Sequence, residues 1–443
     1  MFRSKIWFNI DYVSLLLALG LASFGVVVLA GATQGTINSG LWLTQAQWIV
    51  IGLIMCVCTF LIDYRFFIKY AVVFYIIGII GLLLCFAPYI GLYKKGAYSW
   101  IRIGPKQFQP AEFAKLATIL MLAKILGSRK EKWTGMLDIL RPLFIGALPA
   151  MIILKQPDLG TAIVFGPVTL LMMFAAGMPF SYILLLFAPF TCFIGINHDI
   201  IAILIWLGIM GGLLLYSIFR KIPWTVWLPF LAISIVAYIA VFEYAETVWN
   251  QLRDHQKDRI VGYFNPEIEK KGLNWNIYNS KVALGSGGFW GIGLGKGTQS
   301  KLGFLPEYEH DFVFPTVGEQ LGFVGGVSLL GLFLFLLMRA LETSILSKTL
   351  QGSLIATGVA ALFFSHISIN IGMVTGLLPV TGLPLTFISY GGSFMLINMI
   401  AVGFLISIRM HTTKEIIEDN IMNNHPQLIL PKNTENGDIW ESS

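Results

Sequence analysis

Apolar runs long enough to cross a bilayer recur along almost the whole chain. They lie near 11–31, 46–62, 69–88, 110–127, 139–155, 159–177, 181–197, 199–218, 224–243, 311–339, 350–375 and 385–409. A helix rises about 1.5 Å per residue, so roughly 20 apolar residues span the hydrocarbon layer. A water-soluble core has no room for so much apolar sequence. Hydrophobic residues make up 56% of the chain and charged ones 12%, about half the usual charged fraction of a soluble domain. The expected fold is all-α, a polytopic bundle of about twelve membrane-spanning helices forming one domain over 1–410.

Charge sets the orientation. With Arg3 and Lys5 in the cytoplasm, the same side receives Arg65 and Lys69, then Arg129, Lys130 and Lys132, then Arg220 and Lys221, Arg339 and Lys348, and finally Arg409 and Lys414. The opposite side receives 32–45, 89–109, a tight turn at 155–160 and a long loop at 244–310. The net charge of +6 is thereby explained by topology, and no nucleic-acid partner is expected. The first run follows MFRSKIWFNID without a small-residue cleavage site and reads as a retained anchor. The polar segment 411–443 reads as a disordered cytoplasmic tail. Cys56, Cys58, Cys85 and Cys192 stand within apolar runs and read as small hydrophobes, and no metal site is expected.

A few polar residues interrupt this pattern. GSGGFWGIGLGKGTQ, 285–299, is not a phosphate-binding Walker loop, because Lys296 is followed by glycine; it reads as tight turns or as backbone exposed to a ligand. In SWIRIGPKQFQPAEFAK, 99–115, Glu112 and Lys115 share a helix face and form an ion pair, or else Lys115 joins Arg102 and Lys106 in an anion site. Asp158 in KQPDLGT caps the next helix or serves as a polar hub beside Gln156. Glu307, Glu309, His310 and Asp311 directly precede an apolar run. Glu319 follows about 12 Å deeper, where a charge costs roughly 3 kcal/mol or more, so it must face the interior. His366 and Asn370, four apart, are its candidate partners. These residues describe an anion-accepting cavity with carboxylates able to take a proton, which suits a transporter as well as an enzyme.

Five segments sharpen the reading: SWIRIGPKQFQPAEFAKL, KQPDLGT, NSKVALGSGGFWGIGLGKGTQSKLGFLPE, HDFVF and NIGMVTGLLPVTGLPLTFISYGGS. In this order they resemble the SEDS family (shape, elongation, division and sporulation) over nearly the whole chain, and its elongation branch more than its division branch. The resemblance implies a peptidoglycan glycosyltransferase that polymerises lipid II with inversion at the anomeric carbon. Asp311 falls on the family's catalytic aspartate and would be the general base. Arg102, Lys115, Glu112 and Lys296 would bind the pyrophosphate and sugars, with Asp158, Gln156, Glu319, His310 and Glu309 in supporting positions. No cofactor is required by this reading, and a divalent cation, Mg or Mn, is left open. A class B penicillin-binding protein and other elongation-complex proteins are the implied partners, in the bacterial cytoplasmic membrane with both termini inside. A lipid II flippase and a membrane scaffold are the alternatives. The sequence departs from the family in three places. Glu309-His310-Asp311 stands where His-Thr-Asp is common, so Glu309 or His310 is expected to tune Asp311. EKKGLNWN, 269–276, replaces a turn, with Glu269 in its acidic place. The stretch 181–243 holds three apolar runs where one of ten family spans is expected, an extra two-helix insertion.

Overall fold

The apolar runs become helices, and charge and proline set where they begin. The computed structural model describes residues 10–36, 38–94, 96–104, 106–129, 133, 135–189, 191, 200–251, 273–298, 304, 305 and 307–424. In chain order the helices are α1 Tyr12–Thr33, α2 Leu41–Leu61, α3 Tyr64–Lys69, α4 Ala71–Leu84, α5 Pro110–Gly127, α6 Met136–Lys155, α7 Leu159–Ala175, α8 Phe180–Phe187 and α9 Ile200–Phe219. They continue as α10 Trp224–Gln251, α11 Leu273–Ser286, α12 Val313–Leu346, α13 Leu350–Thr375 and α14 Gly392–Asn424. Among the described residues, seven helices are long and apolar enough to cross a bilayer, and three shorter apolar helices accompany them. The chain is a polytopic helical membrane protein.

Burial sorts the helices into layers. α13 and α14 are mostly buried, with 78% and 83% of their apolar windows covered, whereas α2 is only 17% covered. α5, α13 and α14 therefore form the centre, and α1, α2, α4, α6, α7 and α12 wrap it. Outward-facing Leu16, Val50, Ile76, Phe144 and Leu334 are half or more exposed, as suits a surface solvated by lipid. Cys58 shares that outer surface, while Cys56 and Cys85 are buried.

Several expectations are corrected. In the run expected at 181–197 the described residues hold the eight-residue α8, about 12 Å long, and 190 and 192–199 lie outside the described residues. The last span begins at Gly392 rather than 385, because Gly382, Pro384 and the Gly391-Gly392 pair hold the preceding residues in a loop. α14 then continues through Asn424, so the first part of the segment expected to be disordered is helical. Residues 425–443 lie outside the described residues. The long loop expected at 244–310 is partly helical as well: α10 extends to Gln251, and α11 packs on α12 and α13, where Ser280 Oγ donates to Val374 O at 2.7 Å. Glu269 lies outside the described residues.

An unforeseen sheet joins α4 to α5. β1 Gly91–Lys94, β2 Ala97–Ile103 and β3 Lys106–Phe108 pair antiparallel in that order, with Leu92 opposite Trp100 and Arg102 opposite Gln107. The β1–β2 turn closes with Lys94 opposite Ala97 and Gly96 at φ 84°, a left-handed conformation that glycine adopts without strain.

The glycine cluster is explained by α12. That helix breaks at Gly322, where φ is 67° and ψ −162°. The freed backbone groups bond to the cluster instead. Phe323 N–H donates to Gly288 O at 2.9 Å, and Ile292 and Gly293 N–H donate to Glu319 and Gln320 O at 3.0 and 3.1 Å. Irregular backbone at membrane depth is tolerated only when satisfied within the protein in this way. A Cβ at Gly322 would run into the backbone of Gly291, besides requiring strained dihedrals. Gly322→Ala should therefore cost about 1–3 kcal/mol, read as a lower thermal midpoint in detergent. Gly326→Ala, whose Cβ would meet only Phe314 at 3.9 Å, should not lower it.

At one end of the bundle a charged clasp ties α1, α12 and α14 together. Arg339 donates to Asp11 at 2.6 Å and to Glu342 at 2.6 Å, and Arg409 donates to Glu342 at 3.0 Å. Burial opposes charge on Asp11, but the hydrogen bonds from Arg339 and Ser14 and the nearby guanidinium charges outweigh it and hold the carboxyl below its usual range. Two of the basic residues expected on the cytoplasmic side, Arg339 and Arg409, thus share this end.

Candidate active site

The opposite end holds a cavity of about 660 Å³. Four helices start there. Glu112 lies in the first turn of α5, Asp158 caps α7, Asp311 precedes α12, and Ser393 opens α14; all four residues line the cavity. Helix starts present unpaired N–H groups and the positive end of the peptide dipoles, so their convergence favours an anion. The β-sheet forms one wall through Lys94, Ser99, Trp100 and Gln107.

Asp311 is fixed through its backbone. Its N–H donates to Glu307 O at 3.0 Å, and its carbonyl accepts from Asn370 Nδ2 at 2.8 Å. Asn370 also donates to Leu383 O at 2.6 Å, drawing the 382–384 loop against the aspartate. Gly382 sits there at φ 73°, and a Cβ on it would come within 3.4 Å of Asp311 Oδ2. Asp311 lines the cavity. Two expected partners of Glu319 are employed here instead: Asn370 as just described, and His366, whose Nδ1 donates to Pro384 O at 3.2 Å. Glu319 accepts from Thr298 N–H at 2.7 Å and Thr298 Oγ1 at 3.2 Å, fastening the glycine cluster rather than lining the cavity.

Lys115 and Glu112 are both 2% exposed and joined at 2.8 Å. Lys115 Nζ also lies 2.8 Å from His366 Nε2; since Nδ1 donates to Pro384, Nε2 accepts from the ammonium. Glu112 lines the cavity, whereas Lys115 sits behind its wall with its donors engaged. Asp158 unites both expected roles. It caps α7 through Thr161 N–H at 3.1 Å and gathers Ser99 Oγ at 3.1 Å and Gln109 Nε2 at 3.3 Å. Gln156 is buried and structural, donating to Leu82 O at 2.8 Å and accepting from Tyr98 N–H at 3.2 Å.

Other expected residues are placed differently. His310 lines the cavity, but its Nδ1 is 2.9 Å from Tyr390 O, so its ring is held by that carbonyl. Glu309 turns away to accept from Asn38 Nδ2 at 3.2 Å. Burial raises the Tyr390 hydroxyl above its ordinary range and keeps it protonated. Arg102 and Lys296 are exposed and outside the cavity. The cation that the structure supplies is Lys94, the one lysine or arginine lining the cavity among the described residues. It donates to Gln107 Oε1 at 3.3 Å and lies 5.9 Å from the Trp100 ring. Sequence reasoning missed it; the Lys95-Gly96 step between two aromatic strands was the signal available.

The sequence matches the family described as cell cycle protein, which unites FtsW, RodA and SpoVE, over residues 9–207 and 185–414. The chain belongs to this family. Within the FtsW/RodA/SpoVE family it is 34% identical to the peptidoglycan glycosyltransferase RodA of Treponema pallidum, over 90% of this chain and 97% of that one. It is 33% identical to a probable peptidoglycan glycosyltransferase FtsW of Trichlorobacter lovleyi, covering 90% and 92%, and 31% identical to the peptidoglycan glycosyltransferase MrdB of Escherichia coli K12, covering 91% and 94%. A solved peptidoglycan synthase complex that coordinates polymerization and crosslinking contains a chain matching with a TM-score of 0.67 at 24% identity, over 91% of this chain and 98% of that one. The crystal structure of the rod shape determining protein RodA of Thermus thermophilus matches with a TM-score of 0.58 at 23% identity, covering 91% and 97%. Both likenesses concern the fold.

Proposed function

We propose that this protein is a peptidoglycan glycosyltransferase that polymerises lipid II, with Asp311 as its general base. The observation that carries the reading is Asp311 itself: an aspartate at a helix start, backbone-fixed, facing a large cavity onto which four helix starts converge. A lipid-anchored sugar needs its reacting hydroxyl at the edge of the bilayer, and a residue just before a spanning helix sits at that edge.

In this mechanism the Asp311 carboxylate takes the proton from the acceptor's GlcNAc 4-hydroxyl. The freed oxygen attacks C1 of the donor's MurNAc. The bond from C1 to the pyrophosphate oxygen breaks, its electron pair leaves with undecaprenyl pyrophosphate, and the anomeric centre inverts from α to β. The charge developing on the leaving group is met by Lys94 and by the helix starts, in the manner of pre-positioned dipoles. Among the described residues no group of three or more His, Cys, Asp or Glu side chains is arranged to hold a metal, and a divalent cation carried by the substrate pyrophosphate stays compatible with this reading. The reading places the protein in the cytoplasmic membrane with the Asp311 cavity outside and the Arg339 clasp inside. A class B penicillin-binding protein would cross-link the strands as its partner, within an assembly of elongation-complex proteins.

The test is polymerisation of lipid II by the purified full chain, with and without the transpeptidase. Glycan strands on a gel are expected. Head groups crossing a reconstituted bilayer with no polymer formed would overturn the reading in favour of a transporter. Within the same assay, Lys94→Gln should raise KM for lipid II on the order of three- to tenfold and weaken its dependence on ionic strength. Arg102→Gln and Lys296→Gln should leave KM nearly unchanged.

A further inference from the structure

The ends of α5 and α6 farthest from Asp311 enclose a second cavity of about 400 Å³, lined by Ser128, Arg129, Asp138 and Arg141 against an apolar wall of Ile125 and Pro142. α5 has 18 residues, so this cavity lies about 27 Å along the bundle from the first. The segment 128–141 carries four basic residues and two acidic ones.

Its two arginines are held differently. Arg129 is fixed: Nη2 lies 3.1 Å from Asp138 Oδ2, Nη1 donates to Asp138 O at 3.4 Å, and the guanidinium sits 4.1 Å over the Trp133 ring. Asp138 is committed as well, because its Oδ2 also accepts Gly135 N–H at 2.9 Å and closes the first turn of α6. Arg141, one turn further on, is exposed and has no hydrogen-bond or ion-pair partner among the described residues. Among the described residues that line the cavity, the one carboxylate is thus engaged on two sides, while the Arg141 guanidinium stands at the rim without a partner. Next to it α6 presents Leu137, Leu140 and Phe144, exposed by 63%, 42% and 59%, on the surface that meets lipid. A ligand suited to this place has an oxygen-rich anionic head and an apolar body.

We propose that this cavity binds the phosphate of an anionic phospholipid, with the Arg141 guanidinium meeting the phosphate oxygens and Arg129 held ready beside it. A planar fork of N–H donors matches phosphate geometry, and basic pockets between spanning helices at one membrane face accept such head groups. The inference stands apart from the catalytic reading, since neither arginine is near Asp311.

The test uses the full chain in an uncharged detergent, titrated in separate arms with short-chain phosphatidylglycerol, short-chain phosphatidylcholine and inorganic phosphate, and read by native mass spectrometry. Phosphatidylglycerol should bind more tightly than phosphatidylcholine. Arg141→Gln should weaken phosphatidylglycerol about fivefold, the roughly 1 kcal/mol that one basic side chain contributes beside an anionic surface. Binding of phosphatidylcholine and the thermal midpoint should not change, because Arg141 holds nothing in the fold. Equal phosphatidylglycerol binding by wild type and variant would overturn the proposal, as would equal affinity for the two lipids. Displacement of phosphatidylglycerol by millimolar inorganic phosphate would reject the lipid and assign the cavity to a soluble anion.

Discussion

Asp311→Asn should give a folded protein whose lipid II polymerisation is slowed roughly 10²–10⁴-fold, the usual contribution of a positioned general base. The substitution keeps shape and volume but removes the ability to accept a proton. The bonds that Asp311 makes to Glu307 and Asn370 run through its main chain, and asparagine keeps them. Two measurements decide the matter: the turnover of purified lipid II, and the thermal midpoint of the variant in the same detergent. A variant with an unchanged midpoint and wild-type turnover would remove Asp311 from the base role. Loss of both together would point to a structural role instead.

Much of this arrangement was legible in the sequence, for reasons that differ residue by residue. Spans were visible because apolar length is a direct demand of the bilayer. Asp158 was legible as both cap and hub, because a cap is a local interaction and the hub extends it to Ser99 and Gln109. The Glu112–Lys115 pairing followed from three-residue spacing on one helix face. His366 and Asn370 were correctly placed on one face but given the wrong partner. Spacing tells which residues point together, not what stands opposite, and what stands opposite is the 382–384 loop. Lys94 was hidden for a similar reason. Its place in the cavity depends on antiparallel pairing between 91–94 and 97–103, and Arg102, chosen for its guanidinium, lies on the same sheet but outside the cavity. The break at Gly322 was invisible because one glycine within a long apolar run looks tolerable. Its reason lies some thirty residues upstream, in the backbone of 288–293.

Lys115→Met should destabilise the protein by about 3–5 kcal/mol, more than any other single substitution considered, because it strands the Glu112 carboxylate in a buried site. The same change removes the ammonium that His366 Nε2 faces, and His366 holds Pro384 in the loop against Asp311, so activity should fall with stability. Direct contact of Lys115 with the pyrophosphate predicts the same loss of activity, and the double variant separates the two. In Glu112→Gln/Lys115→Met both charges are gone, and replacing a buried pair with uncharged groups is often nearly neutral. If Lys115 acts by position, the double variant regains most of the thermal midpoint and its KM for lipid II returns towards the wild-type value. If Lys115 holds the pyrophosphate, the midpoint recovers but KM stays high. The geometry favours the first outcome, because Lys115 stands behind the cavity wall with Glu112 and His366 each 2.8 Å from its nitrogen, leaving the cationic contact with substrate to Lys94.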